Sequence, residues 1–103
     1  MLATVMHDLI IDDLAQIDID RSAAWYRQFG SRLSRRFLQE VRSKISVIIE
    51  NPFLYPILYR SIRQTVLHKF PYSLHYIILD DRIKVIACLH NARNREQILE
   101  ERT

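Results

Sequence analysis

Ile62–Phe70 (IRQTVLHKF), Leu74–Leu79 (LHYIIL) and Ile83–His90 (IKVIACLH) are three runs dense in β-branched and aromatic residues, the composition that suits a pleated, half-buried surface. The breaks between them, Pro71-Tyr72-Ser73 and Asp80-Asp81-Arg82, have hairpin length, so the pattern predicts a three-stranded antiparallel meander. On the last strand, strict alternation puts Ile83, Val85, Ala87 and Leu89 on one face and Lys84, Ile86, Cys88 and His90 on the other. His90 is thereby expected to leave the core-facing row at the strand's end.

Upstream of the meander the period changes. A short apolar run, His7–Ile11, predicts a first strand, and Asp12 and Asp13 are good N-caps for a helix that follows. From Leu14 to about Gln28, Ala15, Ile19, Ala23 and Tyr26 form a stripe at helical spacing, with Leu14 and Ile17 beside it. Gly30 stops that helix and Ser31 is expected to cap the next, in which Leu33, Phe37, Val41, Ile45 and Ile48/Ile49 recur at three to four residues. Arg32, Arg35, Arg36 and Arg42 lie off that stripe, and Asn51-Pro52 ends the helix because proline disfavours helical geometry in the residue before it. The tail Asn94–Arg102 could add a turn or two of helix or fray. The expected fold class is α+β: an N-terminal strand, a helical hairpin, then the meander, with the helices packed on one sheet face. Phe37, Tyr72, Tyr76 and Trp25 have the size to fill the space between hairpin and sheet.

At 103 residues, with no repeat and no Pro/Gly/Ser-rich linker, the whole chain 1–103 is expected to form a single domain. Hydrophobic residues at 49% and charged residues at 26% are globular proportions. One glycine excludes glycine-rich phosphate loops. Cys88 has no partner for a disulfide or a cysteine zinc site, which fits a reducing, cytoplasmic setting. The beginning carries neither a basic flank nor a long apolar core, and no apolar run approaches the roughly 18 residues a bilayer requires, so neither export nor a membrane role is expected.

The net charge of +3 is unevenly spread. Residues 1–20 hold five acids and no Lys or Arg, whereas residues 21–44 hold seven bases against Glu40 alone. An acidic partner fits this pattern; so does an ordinary solvated face. His7, His68, His75 and His90 lack metal-ligand spacing to one another, so no metal or cofactor is expected, and no serine nucleophile has a base beside it.

Four local patterns then resemble one family. They are Ala15-x-x-Asp18-Ile19-x-x-x-Ala23-x-Trp25-Tyr26; Arg36-Phe37-Leu38-x-x-Val41 leading to Ile48-Ile49-Glu50-Asn51-Pro52-x-x-Tyr55-Pro56; Ile62-Arg63 with Phe70-Pro71-Tyr72-Ser73-Leu74-x-Tyr76; and Ile83-x-Val85-Ile86-Ala87-Cys88-Leu89-His90-Asn91-Ala92-Arg93-Asn94. In this order they are similar to the RelE/ParE toxins, also called plasmid-stabilisation toxins, the growth-inhibiting halves of bacterial type II toxin–antitoxin systems. The similarity covers roughly residues 9–95.

The resemblance implies a cytoplasmic toxin with a cognate antitoxin protein as partner, free to form a homodimer or a hetero-oligomer with that antitoxin. The antitoxin is expected to fold a C-terminal segment over the groove beside the hairpin and to present acids to Arg32, Arg35, Arg36 or Arg42. The target is either DNA gyrase or the ribosome with its mRNA. In a metal-independent mRNA endonuclease, His90 would move the proton and Arg63, Arg93 or Lys69 would stabilise the phosphorane, with Tyr72 beside them. The nuclease branch of the family carries an Arg after the aromatic of the Phe-Pro-Tyr turn, an Arg near the end of the last strand, and often a terminal Tyr. Ser73, Asn91 and Gln97 or Ile98 stand at those places here. The ending Leu89-His90-Asn91-Ala92-Arg93-Asn94 looks closer to the ParE branch, which poisons gyrase and makes or breaks no bond itself. Arg32, Arg35, Arg42, Lys69 and Arg93 are then the expected target contacts. A family member without toxicity, kept as a binding module, is the third reading.

Overall fold

The computed structural model describes residues 8–103, in which β1 (Asp8–Ile11) leads into a helical hairpin, α1 (Asp13–Arg27) and α2 (Ser31–Glu50). Four strands follow, β2 (Ile57–Tyr59), β3 (Ile62–Val66), β4 (Tyr72–Ile78) and β5 (Arg82–His90), and then α3 (Arg95–Arg102). His7, the expected first residue of the first strand, lies outside the described residues.

The sheet has the order β1-β5-β4-β3-β2. The meander is antiparallel as expected, and β1 pairs parallel with β5, Asp8 opposite Arg82 through Ile11 opposite Val85. The hairpin covers one face, where Ala15, Ile19, Ala23, Tyr26, Phe37, Val41 and Ile48 meet Leu74, Tyr76, Ile83, Val85 and Cys88. On the opposite face Leu99 of α3 meets Ile62, Ile86, Ala87 and Leu89.

Several local expectations change. Gly30 (φ 125°) occupies the position before α2, and Ser31 is the first helical residue. Its hydroxyl makes no cap; it accepts from Arg35 Nη1 at 3.3 Å. Asp12 precedes α1 without a side-chain cap, because its carboxylate lies 3.6 Å from Lys84 Nζ. β3 stops at Val66 instead of Phe70, and Tyr72 and Ser73 belong to β4 instead of the turn. The true connection is held to the hairpin: the Glu40 carboxylate on α2 accepts from the backbone N–H groups of His68 and of Lys69, the latter at 3.1 Å. β2, three residues long and following Pro56, is too brief to show a period.

Strict alternation on β5 also fails. Tyr76 stands opposite Val85 and His75 opposite Ala87, so Ile86 is an extra residue, a β-bulge. Beyond it the faces exchange: Cys88 turns to the hairpin, and Ala87 and Leu89 turn to α3. His90, paired with Tyr72, is therefore on the hairpin face, contrary to the face that alternation assigns it. Trp25 is not core: it is 52% exposed, one position off the stripe that buries Tyr26.

Candidate target-binding site

The bulge decides the site, because it turns the end of β5 toward the Asp18–Tyr26 stretch of α1. Tyr72 and His90 are direct cross-strand partners, ring centroids 5.1 Å apart and edge to face. Tyr72 also lies against Phe37 (5.3 Å) and Tyr26 (6.0 Å), so the core fixes its ring from below. Past His90 the chain turns sharply. Asn91 N–H donates to the Pro71 carbonyl at 2.8 Å, and Ser73 Oγ hydrogen-bonds Asn91 Oδ1. Ala92 N–H donates to His90 Nδ1 at 3.0 Å and Arg93 N–H to the His90 carbonyl at 3.0 Å. With Nδ1 accepting, the neutral imidazole carries its proton on Nε2.

Helix α1 supplies the opposite wall. Asp18, Arg21, Ser22 and Trp25 are three or four residues apart and share one helical face. A recess of about 120 Å³ lies between Asp18, Arg21, Ser22, Tyr72, Cys88, His90 and Arg93. It shares Arg21, Ser22, Tyr72 and His90 with a wider cleft of about 380 Å³ that Trp25, Tyr26 and Pro71 complete. Trp25 stacks near Phe29 with centroids 5.0 Å apart, and both rings are largely exposed.

At the floor, Asp18 closes the sheet edge. β1 ends at Ile11, opposite Val85, which leaves the edge of β5 away from β4 without a strand neighbour from Ile86 onward. Asp18 Oδ2 accepts from Cys88 N–H at 3.0 Å, and Arg102 of α3 donates to the Ile86 carbonyl at 3.0 Å. Arg102 also grips both Asp18 oxygens, at 2.5 and 3.0 Å. A carboxylate and a guanidinium thus replace the missing acceptor and donor of a neighbouring strand. Burial, then the nearby Asp18 charge, pushes the Cys88 thiol up to about 12, so it is no nucleophile.

Of the five residues expected of a nuclease, Tyr72, His90 and Arg93 come together. Arg63 does not join them: from β3 its Nη1 donates to the carbonyls of Tyr55 (2.6 Å) and Phe53 (3.4 Å), and its guanidinium covers the Phe53 ring. Lys69 lies in a different groove, about 570 Å³, with Arg36, Lys44 and Phe70. Arg32, Arg35 and Arg42 are exposed on the outer face of α2. Sequence reasoning missed Arg21 and Trp25. Their spacing on α1 was visible, but not that their face would meet the end of β5. The cleft offers two guanidiniums, an imidazole N–H, the Tyr72 phenol and exposed aromatic surface: the means to grip a partner, with His90 and Tyr72 as its proton-bearing groups.

The comparisons with known proteins agree with this architecture. No curated protein matches. Among solved structures, a chain described as the chromosomal ParDE TA system from P. aeruginosa superposes with a TM-score of 0.74. It is 16% identical, over 82% of this chain and 96% of that one, a likeness of fold. The family described as ParE toxin of type II toxin-antitoxin system, parDE, matches residues 9–95, and the chain belongs to that family of toxins.

Proposed function

We propose that this toxin inhibits DNA gyrase by binding it, without chemistry of its own, and that the Tyr72–His90–Arg93 cleft with Arg21 and Trp25 is a principal contact. Arg32, Arg35, Arg42 and Lys69 form the electrostatic part of the engagement. Membership of a toxin–antitoxin family implies an antitoxin partner. Its acidic segment is proposed to cover the same basic helix and the groove beside it.

The observation that carries this reading is the separation of the expected nuclease residues. RNA cleavage needs a base for the attacking 2′-hydroxyl, an acid for the leaving oxygen and a cation on the phosphorane. Here one imidazole, with Nδ1 already accepting from Ala92 N–H, faces Tyr72, while Arg63 is committed to two carbonyls elsewhere. Exposed aromatics beside arginines are instead what protein interfaces use as anchors.

The test is expression of His90→Ala and Arg93→Ala variants in growing cells. For a gyrase inhibitor, Arg93→Ala relieves growth inhibition, His90→Ala weakens it only modestly, and wild-type expression raises DNA-damage signalling while translation continues. Loss of about 10²–10⁴-fold in mRNA cleavage on His90→Ala would mean a nuclease.

A further inference from the structure

Arg32, Arg36, Gln39 and Ser43 follow one another at three or four residues along α2, with Arg35 and Arg42 on the adjoining line, so they share the face opposite Phe37, Val41 and Ile48. All are exposed, and the ridge from Arg32 to Arg42 runs ~15 Å at helical rise. Among the described residues the ion pairs are Arg60–Glu100, Arg82–Asp81, Lys84–Asp12 and Arg102–Asp18, so none of the four ridge arginines is neutralised. Among the described residues Arg35 donates only to the Ser31 hydroxyl. Glu40, the one acid between Arg32 and Lys44, is bound to the loop backbone at His68 and Lys69.

The outer line of the ridge, Arg32, Arg35 and Arg42, carries no apolar anchor of its own; the apolar surface near it lies in the groove beside α2, with Val47 and Phe70. Protein interfaces centre on buried aromatic or aliphatic anchors, and the exposed aromatics Trp25, Phe29 and Phe53 are on α1, at its end, and after α2. A straight, wholly polar, cationic stripe suits a phosphate backbone. Over ~15 Å of its axis each strand of a duplex presents roughly four phosphates, so a ridge of this length crosses enough of them, counting both strands, to give each arginine one.

We propose that this protein binds duplex DNA directly and without sequence preference, its α2 ridge of Arg32, Arg35, Arg36 and Arg42 lying along the phosphates. The choice of duplex DNA rests on the gyrase reading, since duplex DNA is the substrate of that enzyme. The toxin then grips both enzyme and DNA, and an acidic antitoxin segment on α2 displaces the DNA.

The test is fluorescence anisotropy of a labelled mixed-sequence duplex of about 30 base pairs with the full chain, without gyrase, from about 50 to about 200 mM salt. Four phosphate contacts give a log–log slope of about −3 to −4 and roughly 100-fold weaker binding over that range. Arg32→Gln, Arg35→Gln and Arg42→Gln together bring the slope to about −1. The same three positions changed to Lys keep it, with circular dichroism confirming the fold of both variants. No binding at the lowest salt, a slope the Gln variant leaves unchanged, or binding of single-stranded RNA but not of the duplex overturns the proposal. A supercoiling assay on the wild type separates it from the reading beneath it. Gyrase inhibition without duplex binding sinks the DNA contact alone; duplex binding without gyrase inhibition sinks the gyrase target alone.

Discussion

Phe37 is completely buried and meets Phe70 and Tyr72 at 5.3 Å and Tyr26 at 5.4 Å between ring centroids. Phe37→Ala should cost about 3–5 kcal/mol in urea unfolding, the range for emptying an aromatic core site; a loss below about 1 kcal/mol would contradict the packing described. Its role was legible because it sits in the middle of the α2 stripe. Trp25 was misjudged by size alone: one residue from buried Tyr26, its side chain turns about 100° away and meets solvent. His75 carries a pH dependence. Fully buried on β4 with Nε2 3.0 Å from Gln64 Oε1, its pKa is lowered to about 4, first by burial and then by the Arg95 charge. Unfolded, it binds a proton near pH 6.5, so below that the unfolded state takes up protons the folded state refuses and stability falls. The loss should build between about pH 6.5 and 4 to about 3 kcal/mol. His75→Gln should flatten that part of the stability profile, and an unchanged profile would remove His75 as its cause.

Whole elements were legible where the period was long. The hairpin could be read from its apolar stripes and Gly30, and the three meander strands from their composition; β2 and the parallel β1–β5 pairing could not, since three residues show no period and a pairing partner 74 residues away leaves no local trace. The Ile86 bulge was equally silent, yet it decides the site by turning His90 to the hairpin face. α3 is held at its end by Arg102, whose contact with Asp18 leaves the two side chains only 15% and 10% exposed. Arg102→Ala would strand that carboxylate and deprive the Ile86 carbonyl of its donor. A loss of about 3 kcal/mol in thermal or urea unfolding is expected. A variant as stable as the wild type would show that the sheet edge does not depend on this bracket.

At the scale of the molecule, the two faces of the sheet have different duties. One is closed by α3, and the other carries the hairpin, with the cleft between α1 and the end of β5 and the arginine ridge on the outer face of α2. Tyr72, His90, Arg93, Arg63 and Lys69 were named together from the sequence by residue type; the fold brings the first three to one cleft and parts the other two from them, β3 sending Arg63 to the loop carbonyls and the 67–71 connection placing Lys69 across a different groove. The proposed action on gyrase by binding is checked with the purified protein added side by side to gyrase supercoiling of relaxed plasmid and to a coupled translation reaction. Supercoiling should stop in a dose-dependent way while mRNA stays intact and translation proceeds; rapid mRNA cleavage with undisturbed supercoiling would rule gyrase out as the target.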